Sequence, residues 1–440
     1  MPTEFNRRKF LKTSLKGTLA ATALGSTSFR PTDLSLNENI KIKEYRRLGR
    51  TNFKVSDISM GAGSLTNAAV LEAALDMGLN YIDTAEHYMR GQSEKTVGDV
   101  IKNRKRDSLF ISTKLNLDFF GGTSRKELRE RFDKCYERLQ NDYIDCLMIH
   151  MAQSAEQIKH KEFHKMAEQL KKEGKIRYIG LSNHGPEHKM AGNLKEPMEK
   201  VLLAAADDGR FDVALFVYNF IQKEQGEKII EACAKADMGV TLMKVNPVNF
   251  YNSIQGSLER ARKSNSRNLE SIEASVKEYE KMIDRGTLFR EKYGLDSDIK
   301  VRDAAIKFVI GNQDVHTVCP TINNFGDLES FTSLSGKRLE NRDPEMLSDY
   351  TNSFGKNYCR HACGVCEDKC PEKIPVNTVM RYNHYFESQG REKIAMEKYA
   401  ALDINISSVC QNCEGLCMQN CPYDVPVKSL LLHAENNLRI

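Results

Sequence analysis

Short, almost unbroken apolar runs recur along the chain from residue 58 onward. They cover residues 58–63, 81–85, 109–115, 145–150, 177–183, 213–219, 240–245 and 316–321. The runs are continuous and rich in β-branched side chains rather than alternating, which suits strands buried on both faces. Amphipathic stretches separate them, among them 68–77, 94–103, 125–139 and 162–173. Each fits a helix whose apolar side covers a sheet. Strand and helix alternating eight times predicts an α/β fold, a (β/α)8 TIM barrel over residues 44–340. Ahead of it, residues 44–48 and 53–55 flank Gly49-Arg50 and predict a hairpin that plugs the bottom of the barrel. Between the last two strands, residues 249–300 are long, polar and charged, with helical patterning at 258–262 and 270–284. We read them as a solvated helical excursion rather than a lid over the barrel mouth.

The pattern changes after residue 340. Residues 340–344 and 351–357 read as a linker, and a small, mostly helical domain follows over 355–430. Of the 12 cysteines, Cys135, Cys146, Cys233 and Cys319 are scattered and read as small core side chains. The other eight form two sets: Cys359, Cys363, Cys366 and Cys370, then Cys410, Cys413, Cys417 and Cys421. Each set ends in Cys-Pro within a repeat, Cys370-Pro371 to Val376 matching Cys421-Pro422 to Val427. Thiolates hold iron–sulfur clusters, and a [4Fe–4S] cube takes four. Four disulfides would leave the repeated Cys-Pro without a role. Zinc would favour two Cys-x2-Cys knuckles or histidine partners. Cys359, Cys363 and Cys366 also share the spacing of radical S-adenosylmethionine enzymes, but that motif belongs near the start of a barrel. The tail resembles the bacterial two-cluster ferredoxin module, with one gap lengthened in each set and 40 residues between sets. That resemblance implies crossed ligation, with Cys359, Cys363, Cys366 and Cys421 on one cluster. Cys410, Cys413, Cys417 and Cys370 would hold the other.

The whole chain is ordinary in composition, 40% hydrophobic and 28% charged over 440 residues. That excludes a disordered chain, a collagen-like fibre and a multi-span membrane protein. The net charge of +5 is no nucleic-acid footprint over this length, so no nucleic-acid partner is expected. The first 35 residues stand apart. Arg7-Arg8, then Phe10-Leu11, then a weakly apolar stretch resemble a twin-arginine export signal, with Ala21-Thr22-Ala23 as a cleavage site. Lys16 interrupts the stretch, so no stable membrane span is expected. The expected location is the periplasm, or the cytoplasm if the signal is not used.

Charged residues at the ends of successive barrel strands face the site rather than the core. Asp83 and Tyr88 follow the second run, Lys114 ends the third, His150 the fourth, and Ser182-Asn183 the fifth. Here the chain resembles the aldo-keto reductase family, through Ile82-Asp83-Thr84-Ala85 with Tyr88, Gly91-Gln92-Ser93-Glu94 and Ile179-Gly180-Leu181-Ser182-Asn183. A barrel followed by a ferredoxin-type tail is similar to a subgroup of that family. Reducing a carbonyl with hydride leaves an alkoxide that needs a proton, and Tyr88 would supply it. Lys114, held by Asp83, would ease that release, and His150 would position the carbonyl oxygen. The resemblance implies NAD(P)(H) as cofactor, with Ser182 and Asn183 at its carboxamide. Tyr218, Asn219, Lys244, Pro320 and Asn324 would lie along the rest of it. Three departures bear on that cofactor. Leu215 stands where the family has a glutamine, Met243-Lys244 offers no stacking aromatic, and the loop from Pro320 to Asp327 lacks Pro-Gly and a basic residue.

The expected function is carbonyl–alcohol interconversion on a small substrate, coupled through the clusters to a redox protein partner. The alternative is an electron-transfer protein whose barrel is a catalytically weak scaffold. No flavin motif is found to join hydride and one-electron steps.

Overall fold

The computed structural model describes residues 37, 39–117, 121–185, 195–248, 259, 269–388, 391–410 and 412–439. Arg7, Arg8 and the rest of the export-type stretch lie outside the described residues, as does most of 249–268.

An antiparallel hairpin comes first, β1 (Tyr45–Arg47) paired with β2 (Lys54–Ser56). Its turn needs Gly49, which has φ +47 and lies so near β-strand backbone that a Cβ would come within 2.4 Å of the Gly239 nitrogen. Leu48 and Val55 of the hairpin pack on Tyr81, Phe110 and Val213, which open three barrel strands. The hairpin thus closes the lower end with apolar side chains.

Eight parallel strands follow: β3 (Met60–Gly61), β4 (Tyr81–Asp83), β5 (Phe110–Asn116), β6 (Ile144–His150), β7 (Ile176–Asn183), β8 (Val213–Val217), β9 (Gly239–Met243) and β10 (Thr317–Val318). Each overlaps one of the eight apolar runs, extending past it by at most one residue, and each pairs with its neighbours in chain order. Parallel bridges Ile58–Val318 and Gly61–Thr321 join the two edges, so the sheet closes on itself. Every residue of β5 and β6 is buried, which explains why these strands read as unbroken apolar runs. Helices Ala68–Asp76, Gln92–Ile101, Arg125–Leu139 and Lys161–Lys172 alternate with the first strands. Ser124 opens the third of them with a capping box, its side chain and that of Glu127 each bonding the other's backbone nitrogen.

One stretch differs from the sequence reading, and the charged excursion is helical as expected but packs against it. Residues 343–344 and 351–357, read as linker, instead belong to the helix Asp343–Phe354 and a 3-10 turn, Gly355–Asn357. Met346, Leu347, Tyr350 and Phe354 are buried there at helical spacing, scattered among polar residues that mask the pattern. The charged excursion contributes the helix Leu269–Tyr293, whose Phe289 packs against Tyr350 and Phe354 with centroids 5.6 and 5.9 Å apart.

The cysteine-rich segment is helical and has its own apolar centre. Val379, Tyr382, Ala395, Ile406 and Leu431 meet there, from helices that include Val376–Ser388, Glu392–Ala400 and Val427–Leu438. It sits on the barrel's C-terminal face. Gln222 Nε2 donates to the His361 carbonyl at 2.8 Å, and the His361 amide donates back to Gln222 Oε1 at 2.9 Å. The Met198 amide donates to the Ala362 carbonyl at 3.0 Å. No helix among the described residues is long and apolar enough to cross a membrane.

Candidate active site

In a parallel barrel the register decides which side chains share an end. Asp83 pairs with Ser112, Lys114 with Met148 and Asn116 with His150, so Asp83, Lys114 and His150 gather at the mouth. Lys114 has no exposed surface, and its ammonium donates to Asp83 Oδ2 and to the Thr84 carbonyl, both at 2.6 Å. Asp83 Oδ1 accepts from Ser112 Oγ at 2.9 Å. A lone buried ammonium would be prohibitive; one with a carboxylate and a carbonyl is tolerated and fixed in place.

Tyr88 begins a tight turn, Tyr88–Gly91, in which Met89 and Arg90 both adopt left-handed backbone with φ 51 and 56. Such residues cost free energy and tend to mark functional turns. The turn sets the Tyr88 ring beside Lys114, Nζ to centroid 5.0 Å. An ammonium there stabilises the charge left when the phenol gives up its proton. The His150 ring meets Tyr88 edge-on at 5.6 Å and stacks on His87 at 4.7 Å. Asn116 Nδ2 donates to the His150 carbonyl at 3.1 Å and steadies that strand end. Behind the turn, Glu94 is fully buried between Thr113 Oγ1 at 2.5 Å and Arg138 at 2.7 Å. The four proposed catalytic residues are therefore adjacent.

The nucleotide residues are less uniform. Ser182 Oγ accepts from the Met151 amide at 3.1 Å and keeps its own proton to donate. Asn183 donates to the Ala152 carbonyl at 2.6 Å and accepts from Gly185 at 3.2 Å, with one N–H left over. These two fit a carboxamide. Leu215 pairs with Ser182 across β7 and β8, so an apolar side chain stands beside them. Tyr218 faces the outer helices instead, its ring against Gly226 and Phe308. Asn219 anchors the cysteine-rich segment, donating to Tyr358 Oη at 3.1 Å and to the Lys244 carbonyl at 3.2 Å. The Pro320 carbonyl accepts from Gly61 at 3.0 Å. Asn324 caps the helix Phe325–Thr332, accepting from the Asp327 amide and donating to its carboxylate, both at 2.8 Å. A carboxylate at that N-terminus disfavours a phosphate there. The residues fit the nicotinamide end and offer no positive charge at the phosphate end.

None of the twelve cysteines is disulfide-bonded. Among the described residues no three His, Cys, Asp or Glu side chains close tightly enough to hold a single metal ion. The eight cysteines lie in two looser groups that cross the two sequence sets. Cys359, Cys363 and Cys366 line one cavity together with Cys421, beside Arg360 and Tyr423. Cys370 comes close to Cys410, Cys413 and Cys417, and burial, then these neighbours, push the Cys410 thiol up to about 11. Gathered thiols that resist ionisation fit a cationic core that would offset their charge.

Several residues at the mouth were not singled out from the sequence. His184 lies 6.3 Å from His150, ring to ring, and its carbonyl accepts from Arg381 Nη1 at 3.1 Å. Arg381 could have been noticed, because Thr378, Arg381, Tyr382 and Tyr385 form the inward face of their helix.

Residues 60–347 match the sequence model of the Aldo/keto reductase family. A protein of Bacillus subtilis described as "Uncharacterized oxidoreductase YqkF" is 34% identical over 153 residues, 32% of this chain and 49% of its own. "Aldo-keto reductase YhdN" of the same organism is 34% identical over 161 residues, 33% of this chain and 48% of its own. The chain thus spans about half the length of these curated relatives. A solved aldo-keto reductase from Bacillus halodurans aligns with 69% of this chain and 95% of its own, at 20% identity and a TM-score of 0.48. Well over half of the chain falls within the family match, and on that ground it belongs to the aldo/keto reductase family.

Proposed function

We propose that the protein interconverts a small carbonyl compound and its alcohol, with Tyr88 as the proton donor and acceptor. The observation that carries this reading is the buried Asp83–Lys114 pair set beside the Tyr88 ring, with His150 across from it. In the reducing direction Tyr88 gives its proton to the developing alkoxide while His150 orients the oxygen. Lys114 stabilises the tyrosinate that remains, and Asp83 keeps Lys114 charged and pointed. A bound nicotinamide would supply the hydride, with Ser182 and Asn183 at its carboxamide. Tyr88→Phe should lower carbonyl reduction about a hundredfold or more while the fold survives. Circular dichroism and steady-state kinetics on one preparation decide this, and full activity in the variant would refute the role.

The cysteine-rich segment is proposed to hold two [4Fe–4S] clusters, one on Cys359, Cys363, Cys366 and Cys421, the other on Cys370, Cys410, Cys413 and Cys417. When bound they supply one-electron transfer, which suits a redox protein partner. A second reading, an electron-transfer protein on a weak catalytic scaffold, is favoured by Leu215 and by Asp327 at the expected phosphate site. Nucleotide that co-purifies and is reduced by an added alcohol would exclude it.

Export by the twin-arginine route belongs to the same proposal, because that route carries folded chains and cofactors inserted beforehand. Replacing Arg7 and Arg8 together by lysine should hold the protein in the cytoplasm. Unchanged fractionation of the double variant would end this part of the reading.

A further inference from the structure

Among the described residues Arg381 is the largest side chain that the fold buries completely, with no exposed surface. It stands on the helix Val376–Ser388 of the cysteine-rich segment, yet it reaches the barrel and donates from Nη1 to the His184 carbonyl at 3.1 Å. Its Nε and Nη2 are buried and find no hydrogen-bond partner among the described residues. Nor does it form an ion pair among them. A guanidinium taken out of water with two idle donors is expensive, and unsatisfied buried donors mark places where a ligand belongs.

A second cation lies on the same side. The buried Lys244 ammonium lies 5.8 Å from the Tyr385 ring centroid, one turn along the Arg381 helix. His361 and His384 sit ring to ring at 5.3 Å on the same side. The carboxylate on the same helix, Glu387, is already engaged with His433 at 2.5 Å and Asn437 at 3.0 Å. The guanidinium is also next to the chemistry, since Arg381 bonds His184, His184 faces His150, and His150 faces Tyr88.

We propose that Arg381 anchors an anion subsite at the barrel mouth, and that the substrate carries an oxyanion on the same small molecule as the reacting carbonyl or alcohol. The guanidinium fork suits a carboxylate or a phosphate, taken by the two donors that lack a protein partner. Lys244 adds charge on the same side. The barrel supplies the proton chemistry, and the cysteine-rich segment supplies substrate recognition. This rests on the carbonyl–alcohol reading above and gives that substrate its chemical class.

The test is calorimetric binding to the full chain, purified anaerobically, with acetate, inorganic phosphate, neutral acetamide and nicotinamide nucleotides as separate probes. The wild type should bind acetate or phosphate, whichever marks the natural group, and should ignore acetamide. Arg381→Gln should weaken that anion at least about tenfold and leave nucleotide affinity within about twofold. Iron content and melting temperature check that the variant is folded. If Arg381→Gln does not fold, Arg381→Lys decides alone: a loss of about threefold or more supports the subsite, and unchanged affinity overturns it. No anion binding by the wild type, equal binding by folded Arg381→Gln, or a loss confined to the nucleotide overturns it as well. An inactive enzyme that still binds the anion through Arg381 refutes the carbonyl reading and spares the subsite. An active enzyme that binds no anion does the reverse.

Discussion

Lys114 and Asp83 show how one residue pair serves both fold and chemistry. The ammonium has no exposed surface, and among the described residues its charge is held by Asp83 and the Thr84 carbonyl, beside the phenol ring. A hydrophobic pair of similar volume would pack at least as well, so stability alone does not explain the charges. In the proposed reaction their use is to bias the proton on Tyr88. His316 is a contrasting case, a histidine with a structural role. Its Nδ1 accepts from the Val240 amide at 2.8 Å, which the neutral ring alone can do. Burial first, then the charges of Arg46 and Arg47, push its pKa down to about 4. The unfolded chain takes up that proton near pH 6.5 and the folded chain only near 4. The contribution is therefore complete above pH 6.5 and is lost as pH falls toward 4. His316→Asn keeps an acceptor for Val240 and removes the titration. Urea midpoints at pH 7.5 and pH 5 should move apart less in the variant, by up to about 1.4 kcal/mol per pH unit. An unchanged pH slope would show that His316 does not titrate this way.

At the scale of elements, the barrel was legible because its strands are buried on both faces and leave continuous apolar runs. Residues 145–150 read as a strand, and Ile144–His150 is one with every residue buried. Asp83, Lys114 and His150 were legible for the same reason: a charge ending an apolar run has few places to go but the mouth. The helix Asp343–Phe354 was not, because its four buried side chains are diluted by Asp343, Glu345, Asp349 and Asn352. Tyr218 was assigned to the nucleotide from the family resemblance, yet here its ring turns outward against Gly226. Sequence position after a strand does not say which way the chain leaves it. The inward place of Arg381 could be read from its helix, but its partner could not. Its partner His184 is 197 residues away, and no local pattern signals a contact of that range.

At the scale of the whole molecule, the two cysteine sets act as one unit. Cys421 joins Cys359, Cys363 and Cys366 around a single cavity, although it belongs to the second set. Cys421→Ser should therefore cost about half of the chain's iron and disturb the loop around Cys363, leaving the site of Cys410, Cys413 and Cys417 loaded. Iron and acid-labile sulfide counts on anaerobically purified variant measure this. Loss confined to the group around Cys410, read from cluster spectra beside a Cys413→Ser control, would overturn the crossed assignment.

The helix Asp343–Phe354 sets a distance. Just before it, Ser335 and Gly336 bond Asp57, and Ser335 accepts from Lys43, all at the barrel's closed lower end. Just after it, Tyr358 accepts from Asn219 at the open upper end. Twelve residues of helix rise about 18 Å, so the chain climbs the barrel wall along a rigid rod rather than a tether. Lys307 to Asp343 and Tyr293 to Asp349 clamp the rod at two heights. A rod is a gauge: adding a single residue would advance it by about 1.5 Å and swing everything beyond it through about 100°. Arg381 and the eight cysteines would leave the mouth together. Length in this segment is thus as constrained as identity in the active site, and insertions that an ordinary inter-domain loop absorbs have no room here.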